Sequence, residues 1–334
     1  MNFEQYLEEN AYIVNRYIEE YFSGENNKDI VRYLYGPLGK YSSNAGKRHR
    51  PLTCMLGCAA VGGNPLDALR AAVAIENFHT AALIHDDISD DSKTRRGEPC
   101  MHIVEGLGIA INAGDMALTT VIQMVIDDKA LTDELKVRVV GEITAMVRKT
   151  VEGQALDIGW ARDNRYDLAI DDYLLMASLK TAAYSGASPL AIGAIIGGAD
   201  EAQVEALREF GLLTGLAFQI QDDLLNLVGD EDEIGKDFRS DITEGKRTYM
   251  TVRALQDETV HDELVAILDA KTDDPATLAR AVELMRGCGA LDDARAYAHG
   301  LSERAKQLVV DALPESEPRN TLVSMADYFV DRLR

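Results

Sequence analysis

Two apolar, helix-like runs in this chain each end in an acidic pair, and this constrains the fold more than any other feature. Ala81-Ala82-Leu83-Ile84 leads into His85-Asp86-Asp87-Ile88-Ser89-Asp90, and Leu216-Ala217-Phe218-Gln219-Ile220 leads into Gln221-Asp222-Asp223-Leu224-Leu225-Asn226. A buried helix rarely carries ionised carboxylates unless a cation pairs with them. Two such helices facing each other would make an oxygen-lined bowl for hard divalent cations.

The rest of the chain has the helical period as well. Phe3, Tyr6, Leu7, Ile13, Val14, Tyr17, Ile18 and Tyr21 recur at three- and four-residue intervals among polar residues, the pattern of an amphipathic helix over 3–22. Gly36-Pro37 and Gly39 are expected to break the next short helix. After the basic segment Gly46-Lys47-Arg48-His49-Arg50-Pro51, an Ala-rich helix runs to about Val61. Pro65 opens the helix that ends in the first acidic motif, from about Leu66 to Asp90. Further helices fit 102–127, 132–160, 171–184, 186–197, 201–228, 246–257, 259–270, 275–287, 291–311 and 319–333. Period-2 alternation is almost absent, and no internal repeat appears beyond the two acidic motifs. The expectation is a single all-α bundle, one domain over residues 1–334.

Charge narrows the partners. Lys and Arg total 34 against 56 Asp and Glu, a formal net charge of −22, so nucleic acid or an anionic membrane would be repelled. An anionic substrate would need metal ions and clustered cations to recruit it. Cys54, Cys58, Cys100 and Cys288 make no disulfide framework, and the i,i+4 pair Cys54 and Cys58 suits a buried helix face better than a metal clip. Residues 1–20 are acidic and amphipathic, unlike a signal peptide. No stretch reads as an uninterrupted transmembrane span. A cytoplasmic protein is expected.

Asp pairs alone are weak signals, because the chain has seven of them. Asp127-Asp128, Asp171-Asp172, Asp273-Asp274 and Asp292-Asp293 sit beside turns or helix starts, where Asp is an ordinary cap. Asp86 and Asp90 differ. At i,i+4 they project from one helical face roughly 6 Å apart, while Asp87 turns aside. Two hard donors at that spacing can share one or two Mg²⁺ ions, with phosphate and water completing the octahedra. Asp222 and Asn226 repeat the geometry with one charge fewer. Bound metal would remove the mutual repulsion of these carboxylates.

Basic residues supply the counterpart: Lys47 and Arg50, then Arg95-Arg96-Gly97, Lys180-Thr181, Lys236 and Lys246. Arginine forks suit diphosphate oxygens, and lysines act as movable point charges. Neither a Walker loop nor a dinucleotide fingerprint is present; Gly106-Leu107-Gly108 lacks the required strand and spacing.

Taken together, GKRHRP (46–51), ENFHTAALIHDDISD (76–90), KTRRG (93–97), NAGD (112–115), KTAAY (180–184), FQIQDDLLN (218–226) and GKDFRSDITEGKRTY (235–249) resemble the trans-isoprenyl diphosphate synthases, or polyprenyl synthetases. The segments occur in family order over about residues 40–250, and the similarity is greatest to geranylgeranyl and farnesyl diphosphate synthases. The resemblance implies a helical bundle of the isoprenoid synthase type around a central cavity, and a homodimer. It implies that Asp86, Asp90 and Asp222 hold three Mg²⁺ against an allylic diphosphate, with Mn²⁺ able to substitute. Asp87, Asp223, Asn226 and Asp241 would support them. Arg95, Lys180, Lys236 and Lys246 would grip the allylic diphosphate (dimethylallyl, geranyl or farnesyl). Lys47, Arg50, His79 and Arg96 would hold isopentenyl diphosphate. Thr181 and Gln219 would turn oxygen dipoles towards the developing allylic cation, with Phe218 as a wall. Two positions depart from the pattern: His49 replaces a commonly apolar residue, and Asn226 ends a motif usually written with Asp.

The chemistry implied is ionisation of the allylic C–O bond, attack by the isopentenyl double bond, and loss of a proton. The product would grow along the helix ending at Asp86. Ala81 and Ala82 leave room near the metals, and Phe78 lies about 12 Å back along the axis, against roughly 4–5 Å per extended isoprene unit. If Phe78 faces the cavity, growth stops near three or four units. C20 is the favoured product, with C15 and C25 open. A class I terpene cyclase would share the bowl but needs no second diphosphate pocket; a weakly active partner subunit is the non-enzyme alternative.

Overall fold

The computed structural model describes residues 1–22, 27–43, 46–229 and 238–331, and these are helical almost throughout. Helix α1 spans Phe3–Phe22 and buries Phe3, Leu7, Val14, Ile18 and Phe22, the stripe its periodicity requires. Then follow α2 (Lys28–Ile30), a π-helical turn (Val31–Tyr35), α3 (Gly36–Ser43), α4 (His49–Ala60), a 3₁₀ turn (Pro65–Ala68) and α5 (Leu69–Ser89). A two-residue hairpin, β1 (Thr94–Arg95) with β2 (Glu98–Pro99), precedes α6 (Met101–Val104), α7 (Leu107–Ile126) and α8 (Asp133–Arg162). After α9 (Ile170–Ala177) comes a π-helical segment, Ser178–Ala187, then α10 (Ser188–Ile196) and α11 (Glu201–Val228). The remaining helices are Ser240–Thr243, Tyr249–Leu255, His261–Ala270, Pro275–Gly287, Ala290–Ala312 and Glu317–Val330.

Two expectations change. Gly36 and Pro37 do not break the second helix; they begin α3. The preceding π turn has Gly36 N–H bonded to Val31 O, and a proline at a helix start lacks only a donor that would have no partner there. The long run expected over 102–127 divides at Gly106, which has φ of 88°, a conformation that favours glycine. α7 carries Asp115 as its one charged residue and meets the length and composition criteria for a membrane-crossing helix, which core helices also meet. Its buried residues include Ala110, Ala113, Ala117 and Val121, and it packs on α5.

The contacts divide the chain into two units that alternate along the sequence. The first comprises Met1–Val147, Ser188–Arg208 and Ala312–Leu322. In it α5 packs against α4 and α7, and α4 against α10. The α4–α10 approach depends on Gly193, where an added Cβ would lie 1.9 Å from Cys54 O. Cys54 and Cys58, buried and unoxidised, sit on this contact face. The second unit comprises Arg148–Ala187, Glu209–Asp311 and Val323–Arg334. There the helix Tyr249–Leu255 packs on α9, and Tyr173 meets Tyr249 edge to face with ring centroids 5.7 Å apart.

Candidate active site

α5 is buried without a break from Ala71 to Ala81, including Glu76, Asn77, His79 and Thr80, and its aspartates fall at the end. Asp86 lies in the final turn and Asp90 is the C-cap, its N–H donating to Asp86 O at 2.9 Å. Both side chains are half-buried. Asp87 points the other way and is only 1% exposed. Its Oδ1 accepts from Arg95 Nη2 at 2.6 Å and Nε at 2.8 Å; its Oδ2 accepts from the Tyr41 hydroxyl at 2.8 Å. Burial works to lower the Arg95 pKa, yet Asp87 outweighs it and the net shift is upward. Burial and the same carboxylate hold the Tyr41 hydroxyl protonated.

The first basic segment opens α4. Arg48 is left-handed at φ 52° and buried, a costly conformation held by three partners. Its guanidinium donates to Glu76 Oε1 at 2.6 Å, Ser42 O at 2.6 Å and Asn15 Oδ1 at 2.8 Å. That clamp leaves Lys47 exposed and turns Arg50 inward, where Arg50 Nη1 lies 3.2 Å from His79 Nε2. Arginine only donates, so Nε2 accepts and Nδ1 carries the proton. Burial first, then Arg50, depresses the His79 pKa well below its ordinary value, so the ring is neutral. The exposed Arg96 stacks on Gly46, with Nη1 3.2 Å from where a Cβ would be. This region of the first unit therefore gathers the segment 46–50, His79 and Arg96.

The second acidic motif lies near the end of α11. Asp222 is half-buried and Asp223 buried. Asp223 Oδ2 accepts from Tyr173 OH at 2.8 Å, and Oδ1 from Gln219 Nε2 at 2.6 Å. Burial, then the nearby charge of Asp241, pushes the Asp223 pKa well up. Asp241 is also raised by burial, with Lys246 opposing; Lys246 Nζ lies 3.4 Å from its Oδ1 and 2.6 Å from Glu244 Oε2. Asn226 bonds to the neighbouring short helix. Its Oδ1 accepts from Asp241 N–H and its amide donates to Ser240 Oγ, both at 3.3 Å, while its backbone O accepts from Arg239 N–H at 2.8 Å. It ties α11 to the short helix that carries Asp241.

Lys180 and Thr181 lie in the π-helical segment, a register irregularity frequent at functional sites. The segment is packed closely: an added Cβ on Gly153 of α8 would lie 2.2 Å from Lys180 N. Lys180 Nζ is bonded to Asp157 Oδ2. Asp157, Lys180, Gln219, Asp223, Asp241 and Lys246 share a cavity of about 80 Å³ with Met176, Arg247 and Thr248. Thr181 is buried, and Phe218 is buried against Phe329, ring centroids 4.9 Å apart. Lys236 lies outside the described residues. Phe78 and Ala81 are buried in α5 and Ala82 is half-buried.

Tyr41, Arg48, Glu76, Asp157, Tyr173 and Arg247 were not singled out from the sequence. Arg48 and Arg247 sit inside basic motifs, and Asp157 is a lone carboxylate between Leu156 and Ile158, which is a visible signal. The tyrosines give none, since their partners are 46 and 50 residues away.

Comparison with known proteins converges. The polyprenyl synthetase family model matches residues 31–285. The chain is 40% identical over 291 residues to a short chain isoprenyl diphosphate synthase of Methanothermobacter thermautotrophicus, covering 86% of each. It is 34% identical over 326 residues to a geranylgeranyl pyrophosphate synthase of Geoglobus acetivorans, covering 98% of each. A crystal structure of geranylgeranyl pyrophosphate synthase from Corynebacterium glutamicum, complexed with isoprenyl diphosphate and magnesium, superimposes with a TM-score of 0.89 at 30% identity. It covers 99% of this chain and 100% of that one. The all-α isoprenoid synthase fold, the motifs in order and the full-length relatives agree: this chain belongs to the polyprenyl synthetase family and is a trans-prenyltransferase.

Proposed function

We propose that the chain works as one catalytic domain that condenses isopentenyl diphosphate with an allylic diphosphate, giving the all-trans C20 product geranylgeranyl diphosphate. The observation that carries this reading is the Arg50–His79 pair beside Arg96 and the segment 46–50, on residues other than the acidic end of α5. We read it as a second diphosphate site, which a condensation needs and a cyclisation does not.

A divalent metal fits the donors. Asp86, Asp90 and Asp222 offer hard oxygens, and burial, with neighbouring carboxylates, raises the pKa values of Asp223 and Asp241 near the second motif. Among the described residues no three His, Cys, Asp or Glu side chains gather into a ready-made cluster. Mg²⁺ keeps several waters and takes substrate phosphate oxygens alongside one or two carboxylates. Three Mg²⁺ are assigned here, with Mn²⁺ as a substitute. Bound metal supplies Lewis-acid stabilisation of the departing diphosphate. Lys180, Lys246, Arg95 and Lys236 hold that diphosphate, the first three positioned by Asp157, Asp241 and Asp87. Lys47, Arg50 and Arg96 hold the isopentenyl diphosphate, with neutral His79 donating through Nδ1. Thr181 and Gln219 present oxygens to the allylic cation, Phe218 excludes water, and the released diphosphate takes the proton. Asn226 acts by tying Asp241 in place rather than as a metal ligand. Phe78, Ala81 and Ala82 set product length.

Two copies would form a homodimer in the cytoplasm. Exposed Ile103 and Val104 on α6, with Leu107 and Ile111 at the start of α7, give a second copy an apolar surface to cover. Purified protein with Mg²⁺, isopentenyl diphosphate and each allylic primer should need both substrates and end at C20, and Phe78→Ala should lengthen the product by at least one unit. Turnover of an allylic diphosphate alone into a cyclic hydrocarbon would favour the cyclase. No product with any primer would leave the partner-subunit reading.

A further inference from the structure

Tyr173 is fully buried, with its hydroxyl on Asp223 Oδ2, while Gln219 donates to the other oxygen of the same carboxylate. Asp223 Oδ1 is the acceptor of the bond from Gln219 Nε2, so the NH₂ end of the amide lies against Asp223 and Oε1 is left on the far side. Gln219 and Asp223 both line the cavity shared with Lys180. The Tyr173 hydroxyl lies 2.8 Å from Asp223 Oδ2, on a ring wedged edge-on against Tyr249. That ring has no freedom to follow a drifting carboxylate.

We propose that Tyr173 is a positioning residue for the reaction: through Asp223 it locks the Gln219 amide with its oxygen turned away from the carboxylate and towards the cavity. The negative end of the amide dipole is then set before substrate arrives, where positive charge develops on the allylic carbon. A dipole fixed in advance costs no reorganisation when the C–O bond breaks, so its effect falls on the chemical step rather than on binding. Without the tyrosine hydroxyl, the carboxylate can rotate and the amide samples both orientations. This inference rests on the proposed role of Gln219.

The test compares full-length wild type, Tyr173→Phe, Gln219→Leu and the double variant, in single-turnover condensation and in steady state. Tyr173→Phe should lower the single-turnover rate by up to about ten-fold, the scale of one hydrogen bond, with KM for both diphosphates unchanged. Gln219→Leu should cost at least as much. The double variant should be no slower than Gln219→Leu, since both changes act through one amide. Additive losses, or a Tyr173→Phe defect seen only in KM or in thermal stability, would overturn the lock. If Tyr173→Phe folds poorly, the Gln219→Leu arm with Gln219→Asn decides. The shorter amide cannot span to Asp223, so a rate equal to wild type would refute the proposal. An inactive wild type would instead refute the condensation reading itself.

Discussion

Asp87 and Asp223 occupy the same place in the two acidic motifs, and both are buried and held by a tyrosine hydroxyl at 2.8 Å. They differ in the second partner. Asp87 has the Arg95 guanidinium, whereas Asp223 has the neutral amide of Gln219. The first carboxylate is matched by a cation within the folded chain. The second is desolvated beside Asp222 and Asp241, and its pKa rises. The same short sequence pattern thus makes a neutralised strut at one helix end and a charge-poor one at the other, and a divalent cation has more to relieve at the second.

The largest expected effect concerns the flanking carboxylates. Asp86→Ala and Asp222→Ala should each reduce turnover by orders of magnitude with the helical circular dichroism intact, because each removes an outward oxygen donor rather than a packed group. Near-normal rates in either would break the equivalence of the two motifs. A much smaller effect is expected from His79, near the first motif. Its depressed pKa keeps it neutral in the folded chain, while an unfolded histidine takes up a proton below about pH 6.5. Its contribution to stability is therefore present above that pH and is lost as pH falls. Wild type should lose about 1.4 kcal/mol more than His79→Gln between pH 7.5 and 5.5, measured by urea unfolding. Parallel pH profiles would place the imidazole in contact with water.

Much of this was legible in the sequence. Helical periodicity marked α1, α5 and α11, and i,i+4 spacing separated Asp86 and Asp90 from Asp87 on the helix surface. Hydrogen-bond direction was not legible. Nothing around Asn226 in the sequence shows that its amide also joins Ser240 and Asp241. The clamp around Arg48 joins Asn15, Ser42 and Glu76, three separate stretches of chain. Local pattern carries the periodicity of one helix; it does not carry which side chain of another element arrives to complete a buried polar group. The π-helical register at Lys180 escaped for a related reason, since Gly153 and its close approach come from a different helix.

The unequal neutralisation of the two struts can be measured directly through the unfolding free energies of Asp87→Asn and Asp223→Asn in EDTA at neutral pH. The sign follows from the shifts. A carboxyl whose folded pKa is raised favours folding when protonated, and that contribution is lost as pH rises through the raised value. Removing the Asp223 charge should then leave metal-free stability within about 1 kcal/mol of wild type, or increase it. Asn at 87 strips the partner from a largely buried guanidinium and should cost about 2 kcal/mol. Equal losses in the two variants, or a larger loss from Asp223→Asn, would contradict the account.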